Sequence, residues 1–314
     1  MTKIKEYLHK KMMWVCRNIY YRVKPRFFYT SPKTMAALWY AYNMDELPDF
    51  KHPKETNELW MSINLRARKD PKARALRIRC ADKYAVREYV KEKGFADILN
   101  ECYGVYNSFD EIDFDKLPNQ FVLKLTSCSG MNFICKDKSN LNIEELRALV
   151  DEWFEKAKDF GLKTAEWHYV EIKPRLIAEK YLAQLGESSL VDYKIHCYNG
   201  KIRHIETISD RDFETGHINC DSYTTDWIRK EDVLPRYHQN RRMLPKPICL
   251  EQMKRAAEAL SADAEYVRVD FYEVEGKLLF GELTFTPAGC IDFSYTPEAR
   301  KDMCRFYYET KESK

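Results

Sequence analysis

The dipeptide Asn199-Gly200 constrains this chain most. Both residues tolerate positive φ, and they stand between two apolar runs, 192–198 and 201–207, that read as strands. A two-residue turn of this kind closes an antiparallel hairpin. Downstream, Glu275-Gly276 returns a strand at 266–272 into another at 277–285, so the C-terminal half is expected to rest on two hairpins. Between them, 250–261 reads as an amphipathic helix with Met253, Ala256, Ala257 and Leu260 on one side.

The same punctuation organises the middle of the chain. Phe121 to Leu125 is a short apolar strand, 126–132 is a turn of small residues, and Phe133 to Cys135 is the returning strand. Residues 142–161 read as a helix with Asn142 as cap, Glu144 and Glu145 in the first turn, and Gly161 as terminator. A strand is expected at 176–182. Asp82 to Gly94 has both ends marked, by an N-cap Asp and a C-terminal Gly. From Thr34 to Arg79 the pattern is helical and charged, punctuated by Pro48, Pro53 and Pro71, and reads as helices wrapped on another domain.

Totals narrow the function classes. With 314 residues the chain is expected to divide into two or three lobes, because one core rarely grows beyond about 250–300 residues. A net charge of +3 argues against a nucleic-acid binder, whose mark is a strongly basic face. Aromatic residues make up 14% of the chain, with 21 Tyr; most are expected in the core, although they also suit sugar or ring surfaces. The ten Cys are scattered without paired zinc spacings and are expected reduced and buried.

Basic residues gather at the N-terminus, where Lys3, Lys5, Lys10, Lys11, Arg17, Arg22, Lys24 and Arg26 interleave with Ile4, Leu8, Met12, Met13, Trp14, Val15, Ile19, Tyr20 and Tyr21. This pattern fits a basic amphipathic helix, either docked on the core or lying on anionic lipid. No run approaches the roughly 20 apolar residues of a membrane span, so a cytoplasmic location is expected, with peripheral contact at the inner membrane face as the second reading.

Chemistry concentrates in the last hairpin. Asp270 and Glu282 stand on neighbouring strands and are expected to project from one face, two hard carboxylates suited to Mg²⁺. Thr284, two residues on, would complete the shell, and Arg268, on the side of Asp270, would meet a phosphate. The plain alternative is an exposed sheet surface with unrelated charges. Lys124 inside an apolar strand would be costly unpaired, and it precedes the loop containing Ser127, Ser129 and Gly130, whose amides could approach phosphates. Glu179, Lys180, Tyr181 and Leu182 end a strand and could present a carboxylate and backbone groups to a nucleoside. Lys194 alternates with Asp192 and His196 along one side of its strand. His196 and His204 lack ligand spacing and are expected to be structural or solvated and not metal ligands.

In this order, Lys124 with its loop, Glu179-Lys180-Tyr181-Leu182, Asp192-Tyr193-Lys194, Arg268-Val269-Asp270 and Gly281-Glu282-Leu283-Thr284-Phe285-Thr286-Pro287 resemble the ATP-grasp superfamily. More narrowly the chain looks like its TupA-like (teichuronopeptide biosynthesis) branch, to which the helix opening at Asp82-Lys83-Tyr84 is also similar. The resemblance implies an α+β ATP-grasp fold, two α+β lobes with nucleotide between antiparallel sheets, behind a mainly helical N-terminal region. Divided accordingly, 1–80 is the helical region, 81–118 a pre-ATP-grasp segment, 119–185 the nucleotide-binding lobe and 186–314 the lobe with the metal site.

By resemblance, Lys124 and Lys194 contact nucleotide phosphates, loop 126–132 folds over them, and Glu179 to Leu182 form the adenine-side hinge. Asp270, Glu282 and Thr284 hold Mg²⁺, with Lys194 and Arg268 as catalytic side chains. Thr284 stands where most of the superfamily has Asn, and Cys128 where a small flexible residue is usual. The implied reaction is ATP- and Mg²⁺-dependent ligation of a small-molecule or glycan carboxylate to an amine through an acylphosphate, in capsule or exopolysaccharide assembly. Arg203, Arg211, Arg241 and Arg242 are candidates for gripping substrate carboxylates.

Two rival readings stand beside this one. A glycosyltransferase would use Asp113-Phe114-Asp115 as its metal pair, and a sugar kinase would reuse the ATP site on a hydroxyl. A non-catalytic ATP-grasp scaffold would dock to a membrane or polysaccharide-assembly complex through the basic N-terminal helix, keep the fold and lose turnover. Replacing Asp270 or Glu282 is expected to abolish turnover and leave the fold intact.

Overall fold

A computed structural model describes residues 3–22, 31–162, 164, 166–183, 190–212, 215–234, 239–240 and 243–312. The α+β expectation holds: among these residues eight α-helices accompany two antiparallel sheets. Four helices come first, α1 (Lys3–Arg22), α2 (Pro32–Met44), α3 (Thr56–Lys69) and α4 (Pro71–Ala81). Their ends follow the sequence signals. Pro32 and Pro71 open α2 and α4, where a missing N–H costs nothing, and the Asp70 carboxylate accepts from the Lys72 and Ala73 amides at 2.9 Å each.

Asp82 caps as expected, accepting from the Tyr84 and Ala85 amides at 2.8 and 3.0 Å. Residues 83–85 form a turn first, so α5 (Val86–Glu92) starts later than the sequence suggests, and Gly94 stops it at φ +86°. The first sheet has the order β1 (Cys102–Tyr106), β4 (Leu176–Lys180), β2 (Phe121–Leu125), β3 (Asn132–Cys135). The strand expected over 176–182 thus ends at Lys180, ahead of Tyr181 and Leu182. Its covering helix α6 (Ile143–Ala157) is capped by Asn142, which accepts from the Glu144 and Glu145 amides.

The second sheet has the order β7 (Asn219–Tyr223), β6 (Lys201–Ser209), β5 (Asp192–Tyr198), β8 (Tyr266–Val274), β9 (Lys277–Thr284). Both foreseen turns are left-handed at each residue, Asn199 and Gly200 at φ 51° and 79°, Glu275 and Gly276 at 51° and 72°. One face of this sheet, with Ile195, Cys197, Val267 and Val269, packs on α7 (Leu250–Ser261) through Met253, Ala256, Ala257 and Leu260. At the far end of its other face, Tyr198 and Tyr266 join a core with α2, α3 and α8 (Pro297–Glu312). The N-terminal helices therefore wrap the second sheet. Trp60 shows how: it is fully buried, its ring lies 5.0 Å from Tyr266, and its Nε1 donates to Tyr198 Oη at 3.2 Å.

α1 docks on the core by one stripe, as the first of the two expectations has it, and leaves large apolar side chains exposed on another. All ten Cys are free, and eight are buried. No helix among the described residues is long and apolar enough to cross a membrane.

Candidate functional site

Side chains alternate along a strand, so the face of the second sheet turned away from α7 collects Asp192, Lys194 and His196 from β5. Register then extends each position across the sheet. One row runs Ser222, Glu206, Lys194, Asp270, Glu282; the next runs His204, His196, Arg268, Thr284. Regular pairing back from either turn would not produce these rows. In the β8–β9 hairpin Phe271 opposes Phe280 but Asp270 opposes Glu282, so Gly281 is an extra residue. Without that bulge Glu282 would face the α7 side, opposite Asp270. A second bulge at Arg203, between the His196–His204 and Cys197–Ile202 pairs, re-phases β6 and brings His204 and Glu206 to the same face.

The charges on this face are interlocked. Arg268 Nε donates to Asp270 Oδ1 at 2.7 Å, while its Nη2 reaches Asp270 Oδ2 at 2.7 Å, Thr284 Oγ1 at 3.1 Å and Glu282 Oε1 at 3.3 Å. Lys194 Nζ donates to Asp270 Oδ2 at 2.7 Å, and the Thr284 hydroxyl donates to Glu282 Oε1 at 2.9 Å. Burial alone would raise the Asp270 pKa, but the charges and hydrogen bonds of Arg268 and Lys194 outweigh it and hold the carboxyl down to about 2. Asp270 is thus an anion at any working pH. Behind the row, Tyr295 Oη donates to Glu206 at 2.5 Å, and His196 lies between Tyr266 and Tyr295 at 3.0 and 3.2 Å. Burial drives the pKa of His196 and of His204 well below the ordinary range, so both are neutral and structural, as expected.

The first sheet brings the opposing groups. Lys124 Nζ pairs with Glu179 at 2.7 Å, and Arg87 pairs with the other Glu179 oxygen at 3.2 Å. The ammonium that is costly alone inside a strand therefore has a partner, and Glu179 is committed to two cations. Lys180 is exposed, and Tyr181 and Leu182 are half-buried. In the loop, Ser127 and Cys128 are buried, Cys128 in the left-handed region at φ 87°, and Ser129 and Gly130 are exposed at the tip.

Lys83 joins the two sides. Its amide donates to Thr126 O at 3.0 Å and its Nζ to Cys128 O, while its charge is felt by Lys124 and by Glu282. Burial lowers its pKa; Glu282 opposes the shift and Lys124 adds to it. Sequence alone does not single out Lys83, which lies in the turn ahead of α5, nor Arg87, Glu206 and Tyr295, which carry no local pattern.

Other candidates have structural partners. Asp113 accepts from the Asp115 amide at 3.2 Å and pairs with Lys116 at 2.8 Å, so the Asp113-Phe114-Asp115 triplet caps a surface turn. Arg203 pairs with Asp302, and Arg211 with Asp192 at 2.6 Å. Arg241 and Arg242 lie outside the described residues. The expected surface setting holds for Glu282, whose side chain is 46% exposed, but not for Asp270 at 4%.

Asp270, Glu282 and Thr284 each present an oxygen to one nitrogen of Arg268, so three hard oxygens, one from an ionised carboxylate, converge on a single point. That donor set fits a small hard cation in place of the guanidinium nitrogen that now bridges the three oxygens, with its remaining positions going to water and phosphate oxygens. Among the described residues no group of three or more His, Cys, Asp or Glu stands together for a metal.

Two antiparallel sheets with lysines on one and a carboxylate pair on the other make this an ATP-grasp fold. The chain belongs to the TupA-like ATP-grasp family, whose model matches residues 61–301. Among solved structures it is similar to the D-alanine–D-alanine ligase of Bacillus anthracis, with 17% identity over 73% of this chain and 64% of that one, at a TM-score of 0.44. It is also similar to the L-amino acid ligase of Bacillus licheniformis (14%, 65%, 42%, TM-score 0.38). A third likeness is to the ATP-grasp ligase PsnB complexed with its minimal precursor, Mg and ADP (11%, 81%, 65%, TM-score 0.41). The chain spans less than two thirds of the D-alanine–D-alanine ligases it matches. None of the curated proteins compared with it matches.

Proposed function

We propose that this chain is an ATP- and Mg²⁺-dependent carboxylate–amine ligase that forms an amide bond through an acylphosphate, in the assembly of a bacterial capsule, exopolysaccharide or other surface glycopolymer. The observation that carries the reading is the bulged row, in which Asp270 and Glu282 share one face with Lys194, Arg268 and Thr284. The capsule setting rests on the TupA-like family alone.

In this reading residues 119–185 form the nucleotide lobe and 186–314 the lobe with the metal site. Lys124 and Lys83 meet phosphates beneath the Ser129-Gly130 tip, Glu179 to Leu182 border the adenine, and Lys194 and Arg268 face the transferring phosphoryl group. Mg²⁺ at Asp270, Glu282 and Thr284 would supply neutralising charge to phosphate oxygens. The donor carboxylate oxygen takes the γ-phosphoryl group and ADP leaves; the amine nitrogen then attacks the acyl carbon, phosphate leaves, and the nitrogen loses a proton. Lys194 and Arg268 lower the barrier by holding positive charge where negative charge builds, so no covalent nucleophile is required. The substrates are a carboxylate and an amine, free or on a glycan, and no nucleic acid.

One observation favours a non-catalytic scaffold instead: buried Cys128 pins the middle of the phosphate loop. The test is ADP release by purified protein given ATP, Mg²⁺ and pairs of uronic or amino acids with amines. Release that needs both acid and amine supports the ligase. ATP binding without ADP release supports the scaffold, phosphorylation of a hydroxyl the kinase, and UDP release from a sugar nucleotide without ATP the transferase.

A further inference from the structure

α1 presents two apolar faces in opposite directions. Its inward face is held by Met13 and Tyr20, 1% and 7% exposed; Tyr20 stacks on Tyr42 at 4.9 Å and joins the core with Cys16. His9 meets Asp45 O at 2.9 Å and Arg17 pairs with the Asp45 carboxylate at 3.2 Å, fixing the helix rotation. At about 100° per residue, the opposite half then carries Tyr7, Leu8, Met12, Trp14, Val15, Ile19 and Tyr21, each at least 40% exposed. Tyr7, Trp14 and Tyr21 recur every seventh residue, so they form one row along the helix, each at least 65% exposed, although Tyr21 at the row's end turns back onto Tyr42, with ring centroids 5.3 Å and hydroxyls 2.6 Å apart.

The charges around this face identify what covers it. Lys11 and Arg22 lie within the apolar half, Lys5 and Lys10 at its margins, and all four are exposed. The one acidic residue of α1, Glu6, is paired with Lys10 at 2.9 Å. A protein interface of this size would be depleted of lysine at its centre. Interleaved lysine, aromatic and aliphatic side chains match the boundary of an anionic bilayer instead, where rings sit at headgroup depth, aliphatic groups reach the acyl chains and cations meet lipid phosphates.

We propose that α1 lies flat, over about 30 Å, in the headgroup layer of an anionic membrane. Tyr7 and Trp14 mark the interface, Leu8, Met12, Val15 and Ile19 face the acyl chains, and Lys5, Lys11 and Arg22 meet phosphates. The Met13 and Tyr20 stripe keeps the rest of the protein attached, so the site works at a membrane surface. This inference is independent of the ligase reading.

The full chain is sedimented with vesicles of phosphatidylcholine alone and of phosphatidylcholine with phosphatidylglycerol. Binding is expected to the anionic vesicles, to be lost in high salt, and to carry a blue shift in fluorescence that is absent in Trp14→Phe. Lys11→Gln with Arg22→Gln should weaken partitioning about 30-fold. Leu8→Ser with Ile19→Ser should abolish it with an unchanged thermal melt, since both side chains are exposed. Failure to bind anionic vesicles, or equal binding to both kinds, overturns the proposal. So does a dimer in solution that the Leu8 and Ile19 substitutions convert to monomer, which would make this face a self-interface.

Discussion

Asp270 sits between two cations, and that position separates its roles. Replacing it by Asn leaves Lys194 and Arg268 facing each other with little solvent, a loss of about 3 kcal/mol for a broken buried pair, so lost activity would be mixed with lost stability. Glu282→Gln is cleaner, because that side chain is half exposed and, among the described residues, directly touches one cation, Arg268. It should cut turnover by at least about 100-fold with an unchanged melting temperature; full activity in a steady-state ADP assay would end the metal assignment. Lys124→Met should raise the KM for ATP about 10-fold or more while Arg87 still pairs with Glu179; an unchanged KM would make Lys124 structural.

A fourth side chain gives a pH signature. Burial pushes the Glu166 carboxyl up to about 7, although the Thr164 and Thr286 hydroxyls donate to it at 2.7 and 3.0 Å. Its unfolded value is about 4.3, so between about pH 4 and 7 the folded chain binds the extra proton and loses stability as pH rises. Relative to wild type, Glu166→Gln should therefore gain about 2 kcal/mol between pH 5 and 8 in denaturant titrations. A constant difference would show that Glu166 is already ionised at pH 5.

At the scale of the element, the two bulges carry the site. A two-residue turn at Glu275-Gly276 with strict pairing sets Asp270 opposite Gly281, and Glu282 would then point away. Gly281 absorbs the extra residue because a Cβ there would stand 2.9 Å from the Asp270 carbonyl oxygen, closer than real contacts allow. Deleting Gly281 removes the extra residue and leaves Glu282 opposite Asp270 in a regular hairpin, so helix content by circular dichroism and Mg²⁺-dependent turnover should both be retained. Gly281→Val should push β9 from β8 and reduce turnover with the fold retained. Lost turnover in the deletion with an unchanged spectrum would show that the bend of the bulge, and not the shared face alone, places the site.

For the molecule as a whole, the site lies between two sheets that Lys83 bridges through Cys128 O on one side and the field of Glu282 on the other. Ligand that binds both sides should couple them. A non-hydrolysable ATP analogue with Mg²⁺ at about 100 times Kd is expected to add about 2.7 kcal/mol, or about 5–10 °C in melting temperature. The shift should shrink on chelating Mg²⁺ and in Glu282→Gln; an equal shift in both would place the nucleotide elsewhere.

Local signals in the sequence determined the elements of this protein. Asn199-Gly200, Glu275-Gly276, Asp82, Asn142 and the 250–261 stripe act through φ preferences, caps and helical period, which need no distant partner, and each element they mark is present. The pairing of Lys124 with Glu179, and of Lys194 and Arg268 with Asp270, was decided by tertiary structure, since each joins strands separated in the chain or fixes a side-chain direction by burial. So was the face on which Glu282 and Glu206 lie. A single unpaired residue in each hairpin reverses that choice, and whether a strand bulges depends on how its backbone meets its neighbour.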